Sequence, residues 1–82
     1  MVKIYGSMLC ADCIACRKEL DEKGIAYEYL DFSDDLRNLK EFLQLRDTEE
    51  AFSQLRGSQR IGIPCLLFED GRISFSWDEL MK

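Results

Sequence analysis

Three cysteines at intervals of three residues, Cys10, Cys13 and Cys16, lie between a β-prone segment and a helical segment near the start of the chain. The β-prone segment, Val2 to Tyr5, ends at the turn residue Gly6. From Cys10 onward, apolar residues recur at helical spacing. The sequence therefore predicts a strand, a turn and a helix that begins at or just after Cys10. This placement matters more than the spacing, because a Cys-x-x-Cys pair alone is a weak signal.

The composition limits the candidate catalytic and metal-binding groups to thiols and carboxylates. The 82 residues include four cysteines and no histidine, which excludes Cys-His proteolysis, imidazole bases and mixed Cys/His zinc sites. Met1 to Tyr5 lacks the pattern of a signal peptide and no segment is apolar enough to span a bilayer, so we expect a cytoplasmic protein. In a reducing cytosol, four cysteines indicate redox chemistry or metal ligation. The net charge of -5 argues against nucleic acid and anionic membranes as partners.

Strand and helix patterns alternate along a chain that is large enough for one domain, residues 1–82. The first helix is predicted to end at Lys23, with Gly24 as its stop. Alternating residues predict a second strand over Ile25–Phe32. Ser33 is the predicted N-cap of a second helix. The inward face of that helix is predicted to consist of Leu36, Leu39, Phe42 and Leu43.

The second half of the chain predicts a helix and then a β-hairpin. The capping-box pair Asp47 and Glu50 predicts the start of a third helix, closed by Gly57 and carrying two inward side chains, Phe52 and Leu55. Asp70-Gly71 predicts a two-residue hairpin between Pro64–Phe68 and an antiparallel strand through Ile73 and Phe75.

A last capping box, Ser76 with Glu79, predicts a short terminal helix that runs to Lys82. The predicted order is βαβ, a helical connection and then a ββα unit. The sequence therefore predicts an α/β fold with a four-stranded mixed sheet and flanking helices.

Cys10 and Cys13 are the candidate catalytic pair. At a helix start, unsatisfied amides and the positive end of the macrodipole stabilise a thiolate, so Cys10 is the predicted attacking thiol. Cys13 follows one turn later, within reach of a disulfide to Cys10, and is the predicted resolving thiol. Cys13 and Cys16 make a poorer pair, because residues three apart inside a helix hold their Cβ atoms about 5 to 6 Å apart. A disulfide needs about 3.5 to 4.5 Å.

Metal binding is the alternative that these residues leave open. Four thiolates, from Cys10, Cys13, Cys16 and Cys65, are the right number for an iron–sulfur cluster or a zinc ion. Against this, the helical segment from Cys13 to Cys16 would have to unwind. We favour the redox pair, with no metal, and expect Cys16 and Cys65 to be core side chains.

Several motifs together resemble the glutaredoxins, particularly the short glutaredoxin-related proteins of bacteria, over nearly the whole chain. They are Tyr5-Gly6, the Cys-x-x-Cys that opens a helix, Gly62-Ile63-Pro64, the Asp70-Gly71 hairpin and Asp78. The resemblance implies a thioredoxin-like fold of the glutaredoxin type and a thiol–disulfide oxidoreductase. It also implies a cis peptide bond between Ile63 and Pro64, with the backbone there pairing with the substrate's cysteine. Asp78 matches the carboxylate that holds the amino group of glutathione.

The departures from the glutaredoxin pattern lie where glutathione would bind. Phe75 and Ser76 occupy the positions of a Gly-Gly pair, and Ser7 replaces a basic residue, with Arg60 as a substitute cation. We therefore expect glutathione to be a weak co-substrate. The expected partners are disulfide-containing proteins or small thiols, together with a thiol reductant of the glutathione or thioredoxin-reductase type. No further cofactor is expected.

Overall fold

A computed structural model of the chain describes residues 1–81 as a four-stranded mixed sheet with helices on both faces. The strands have the order β2-β1-β3-β4, in which β1 runs parallel to β2 and antiparallel to β3, and β3 runs antiparallel to β4. No helix within these residues is long and apolar enough to cross a membrane. The main elements are β1 (Val2–Gly6), α1 (Ala11–Glu22), β2 (Tyr27–Asp31), α2 (Leu36–Thr48), β3 (Cys65–Leu67) and β4 (Ile73–Ser74).

The central strand β1 separates two hydrophobic cores because its side chains alternate between the faces of the sheet. Its Val2 and Ile4 side chains face α1, and Tyr5 faces the opposite side. The core on the α1 side is built from Val2, Ile4, Cys16, Leu20 and Leu66. The core on the α2 side is built from Tyr5, Phe42, Phe52, Leu55 and Cys65. Each fully buried large apolar side chain contributes about 1.5 to 3 kcal/mol to folding.

Helix α1 begins where the sequence predicts. Cys10 is its N-cap, and Cys13, Cys16 and Leu20 form its buried face. Ile14, which belongs to the same apolar pattern, is 44% exposed instead. The helix therefore holds two of the cysteines against the sheet and leaves the first at its open end.

The predicted N-cap of the second helix, Ser33, is wrong. Asp35 caps α2, and its side chain accepts a hydrogen bond from the backbone N of Arg37 at 2.8 Å. Ser33 lies in a turn after β2, where its own backbone N donates to the Asp31 carboxylate at 2.7 Å. Because Asp31 stabilises this turn, the N-cap of α2 lies two residues after the predicted N-cap, Ser33.

Half of the predicted inward face of α2 is also wrong. Phe42 is buried and Leu39 packs beside it, as predicted, but Leu36 is 69% exposed and Leu43 is 44% exposed. Successive residues of an α-helix are turned by about 100° around its axis, so Leu36 and Leu43 lie on one side of α2, about 100° or more around the axis from Phe42. Leu45, on the other side of Phe42, packs against the core in their place.

The predicted third helix is wrong in its start and its extent. Asp47 lies inside α2, which continues to Thr48, and only a single 3-10 turn, Glu50–Phe52, follows. The residue with extended backbone is Glu49, so the break in the helix falls after Asp47 and the capping box does not form. The inward placement of two side chains is nevertheless confirmed, since Phe52 and Leu55 are both buried.

The antiparallel hairpin is confirmed, although both strands are shorter than predicted and Phe75 lies beyond β4. The predicted two-residue loop is wrong, because the backbone N of Phe68 donates to the carbonyl of Arg72 and leaves a loop of three residues, 69–71, in which Gly71 takes a positive φ of 92°. The terminal helix is a 3-10 segment, Asp78–Met81, with the Ser76 hydroxyl accepting from the Asp78 backbone N at 3.3 Å. Its predicted end at Lys82 lies outside the described residues.

Candidate active site

A cleft of about 770 Å³ opens where the start of α1, the segment before β3 and the segment after β4 meet. Four predicted site residues line it: Cys10, Arg60, Ile63 and Pro64. Asp78 is exposed and does not line the cleft, although Trp77, its neighbour, does. Cys13 lies behind Cys10 and is completely buried. The fold therefore brings together residues that are more than fifty positions apart in sequence.

Cys10 occupies the N-cap of α1 through local hydrogen bonds. Its backbone is extended, with φ of -99° and ψ of 120°, and its sulfur accepts from the backbone N of Cys13 at 3.2 Å. Its own backbone N donates to the carbonyl of Ser7 at 3.1 Å, which closes the turn after β1. The sulfur is thus directed at the first turn of the helix, where amide dipoles favour negative charge. Cys10 is half-buried and open to the cleft.

Cys13 lies in an enclosed site beneath Gly6. Burial, reinforced by the adjacent Cys10, raises the pKa of the Cys13 thiol to about 12. A Cβ at Gly6 would lie 2.8 Å from the Cys13 Sγ and 2.7 Å from the hydroxyl of Tyr29, which is closer than real Cβ contacts allow. Glycine at position 6 is therefore needed for the sulfur to fit. The two thiols are unequal: Cys10 is accessible, and Cys13 is buried and protonated at neutral pH.

The wall of the cleft opposite Cys10 is the segment that leads into β3. The Ile63–Pro64 peptide bond is cis, as the resemblance implies. Gly62 has a positive φ of 98°, and a Cβ there would lie 2.8 Å from the Phe52 ring. Glycine at position 62 thus lets the chain pass close over the core before Ile63 and Pro64 reach the cleft.

The sequence analysis missed Arg46, which holds this wall in place. Its guanidinium donates to the carbonyl oxygens of Leu55 at 3.0 Å, Arg60 at 3.0 Å and Ile61 at 3.1 Å. These are charge-assisted bonds to three carbonyls of one loop, so a single side chain of α2 fixes the path of that loop. An arginine near a helix end has no pattern in the sequence that would predict these distant carbonyl partners.

The far side of the cleft is aromatic. Phe75 lines it and makes an edge contact with Phe52, with ring centroids 5.0 Å apart. Trp77 also lines it, and its indole N donates to Glu19 of α1 at 3.1 Å. Next to these rings the Ser74 hydroxyl donates to the Ser76 carbonyl at 2.9 Å. The side chains of Phe75 and Trp77 therefore form this side of the cleft.

The four cysteines are not arranged as one ligand set. Cys16 belongs to the core on the α1 side of the sheet, and Cys65 belongs to the core on the other side. Burial raises the pKa of the Cys16 thiol to about 11 and that of the Cys65 thiol to about 12. Within residues 1–81, no group of three or more Cys, Asp or Glu side chains could hold a metal ion. Both cysteines are core side chains, as expected.

A comparison with known proteins finds a relative that aligns over most of both chains. The chain is 32% identical over 77 residues to an uncharacterized protein of Haemophilus influenzae, and the alignment covers 94% of this chain and 90% of that one. No protein-family model and no solved structure matches the chain. The chain belongs to the same family as the Haemophilus influenzae protein.

Proposed function

We propose that this protein is a thiol–disulfide oxidoreductase with a thioredoxin-like fold of the glutaredoxin type, in which Cys10 attacks the substrate and Cys13 resolves the product. The observation that carries the proposal is the inequality of the two thiols. Cys10 is open to the cleft at a helix N-cap, and Cys13 is buried one turn behind it. A dithiol reductase needs this difference, because one thiol has to meet the substrate first.

The proposed reaction consists of two thiol–disulfide exchanges. The Cys10 thiolate attacks one sulfur of the substrate disulfide, the substrate S–S bond breaks, and one substrate thiolate leaves and takes up a proton. Cys13 then loses its proton and attacks the Cys10 sulfur, which forms a Cys10–Cys13 disulfide and releases the second substrate thiol. Two electrons pass from the protein to the substrate, and an external thiol reductant returns them.

Two further features support the proposal. The strand order β2-β1-β3-β4, with its one parallel and two antiparallel pairs, agrees with the fold that the resemblance implies. Ile63 lines the same cleft as Cys10, and its backbone would pair there with the cysteine backbone of a bound substrate. We place the reaction in the cytoplasm, because the oxidised pair has to be reduced again by thiols.

The proposed substrates are disulfides of proteins or of small thiols other than glutathione. Close approach of backbone amides to glutathione is what glycine permits, and Phe75 and Ser76 stand at those positions. Arg60, in the wall of the cleft, would contact a charged substrate, and Asp78 directly follows the lining residue Trp77. Leu9 is 94% exposed at the rim of the cleft and Ile61 is 56% exposed there, so an apolar segment beside the disulfide would find contacts.

A single-turnover reaction tests the proposed function. The reduced protein is mixed with hydroxyethyl disulfide, the released thiol is counted, and the product is mapped by mass spectrometry. We expect two thiols per protein and a Cys10–Cys13 disulfide, with no reaction in Cys10→Ser. Serine is a good N-cap, so this variant keeps the helix start. The control Cys16→Ala, a buried cysteine of the same helix, should react like the wild type. Reduction that survives in Cys10→Ser would overturn the proposal.

A further inference from the structure

A second polar group shares the buried site of Cys13. Tyr29, on β2, points its hydroxyl at the space beneath Gly6, where that oxygen and the Cys13 sulfur would both lie within 3 Å of a Cβ at position 6. The hydroxyl is enclosed and has no hydrogen-bond partner of regular geometry among residues 1–81. An unsatisfied buried hydroxyl is costly, which makes its position informative.

We infer that Tyr29 is a positioning residue for the resolving step, in which its hydroxyl donates a hydrogen bond to the Cys13 sulfur as that sulfur becomes a thiolate. The inference rests on the proposed function and adds a group to the same site. The proton that Cys13 loses goes to the departing substrate thiolate or to solvent, and Tyr29 keeps its own proton. The hydroxyl is thus unsatisfied in the resting thiol and satisfied when charge develops next to it.

The surroundings of the pair agree with this role. Burial raises the pKa of Tyr29, so the phenol remains a donor at neutral pH. The neighbouring Tyr29 hydroxyl lowers the pKa of Cys13, as expected of a group that can donate to the thiolate, and so opposes the effect of burial. The other charged or titratable groups that face the pair are Cys10 and Arg17 of α1 and Asp31 of β2. The Asp31 charge opposes ionisation of Tyr29, which further preserves the donor.

Arg17 holds the ring of Tyr29 in place. Its guanidinium carbon lies 4.3 Å from the centre of that ring, a cation–π contact. The same side chain donates to the Tyr27 hydroxyl at 3.3 Å, and that hydroxyl donates to Asp21 at 2.8 Å. Tyr27 and Tyr29 are two apart on β2 and so face the same side of the sheet. Tyr27, whose hydroxyl already has partners, is therefore a matched control for Tyr29.

The test separates the two exchanges with 5,5′-dithiobis(2-nitrobenzoate). Attack by Cys10 releases one coloured thiolate, and resolution by Cys13 releases a second, so both rates are measured in one experiment across pH 6 to 9. In Tyr29→Phe we expect an unchanged first phase and a second phase about tenfold slower, since a hydrogen bond to a charged group is lost. The pH profile of the second phase should move about one unit higher. Tyr27→Phe should match the wild type in both phases.

The outcomes separate this inference from the proposed function. A second phase in Tyr29→Phe with the wild-type rate would overturn the role of Tyr29. A slower second phase that does not accelerate with pH would also overturn it, because a rearrangement and not the ionisation of Cys13 would then limit the rate. The unchanged first phase serves as the check that the variant is folded. If the wild type released a single equivalent, with no Cys10–Cys13 disulfide, the proposed function would fail, and the inference with it.

Discussion

At the scale of single residues, the difference between Cys10 and Cys13 comes from one turn of helix. Cys10 precedes the helix and has extended backbone, so its sulfur is accessible and bonds to the amide of Cys13 at 3.2 Å. Cys13 is inside the helix on the face that packs against β1, and burial raises its thiol pKa to about 12. The backbone thus makes Cys10 the more accessible thiol, in agreement with its proposed role as the attacking one.

Arg60 offers a test of substrate choice. Arg60→Ala should lower kcat/KM for a glutathione mixed disulfide about fivefold, the loss of a partly exposed charge contact worth about 1 kcal/mol. The rate with hydroxyethyl disulfide, which has no carboxylates, should stay the same. Gln59→Ala removes a neutral side chain from the same wall and should change neither rate.

The pair Phe75→Gly/Ser76→Gly should shift preference in the other direction, towards glutathione. A strong glutathione preference in the wild type that these glycines and Arg60→Ala leave unchanged would mean that the departures from the glutaredoxin pattern have been misinterpreted.

Part of the site was predictable at this scale. Local rules place Cys10 at an N-cap, since a turn, a cysteine and an apolar period lie in consecutive residues. The hydrogen bonds from Arg46 to the carbonyls of residues 55, 60 and 61 depend on how α2 packs against the loop before β3. No local sequence pattern predicts them. The same holds for Tyr29, whose contact with Cys13 depends on the pairing of β1 with β2.

At the scale of elements, the sequence analysis succeeds where one local signal acts alone and fails where several compete. Ser33, Asp34 and Asp35 are all able to cap a helix, and the choice falls on Asp35 because Asp31 already holds the Ser33 amide. The Asp-Gly of the hairpin has no competitor, and the hairpin forms there. Asp47 has capping-box spacing, but the preceding helix continues through it.

Arg46 carries a prediction about the connection between α2 and β3. Arg46→Lys keeps the charge but loses the planar fork, so most of the three carbonyl bonds should be lost. We expect the free energy of unfolding to fall by about 1 to 2 kcal/mol and KM to rise several-fold with little change in kcat. Urea titration and steady-state kinetics measure these two effects.

Arg37→Lys, in the first turn of the same helix, is the control for Arg46. Its guanidinium is exposed and pairs with Asp35, so the free energy of unfolding should stay nearly unchanged. An unchanged KM in Arg46→Lys would contradict the view that this arginine positions the wall of the cleft.

At the scale of the whole molecule, three buried thiols make the free energy of unfolding depend on pH in the alkaline range. Cys13, Cys16 and Cys65 have folded-state pKa values of about 12, 11 and 12, above the ordinary value of 9.0. Below pH 9 the three thiols are protonated in both the folded and the unfolded state, so the stability that they contribute is fully present. Above it only the unfolded chain loses these protons, so stability falls until the pH passes the folded pKa. Each thiol adds a slope of up to about 1.4 kcal/mol per pH unit.

Cys65→Ala isolates one of these thiols away from the cleft. The variant should be less stable at pH 7, since it leaves a small cavity, and should lose less stability between pH 9 and 11 than the wild type. Urea titrations in the presence of a phosphine reductant measure both. Leu67→Ala, on the same strand, also removes packing but no ionisable group, so it should keep the wild-type slope. Equal slopes in all three proteins would contradict the assignment of Cys65 as a buried neutral thiol.

The most direct measurement of the central claim is trapping of the mixed disulfide in the two single-cysteine variants of the pair. Reduced Cys10→Ser and Cys13→Ser are each mixed with a small disulfide, quenched with acid and weighed by mass spectrometry. Cys13→Ser should accumulate a mixed disulfide on Cys10, because attack is intact and resolution is lost. Cys10→Ser should stay unmodified, because its three remaining thiols, Cys13, Cys16 and Cys65, are buried and protonated. Equal trapping in both variants would contradict the account.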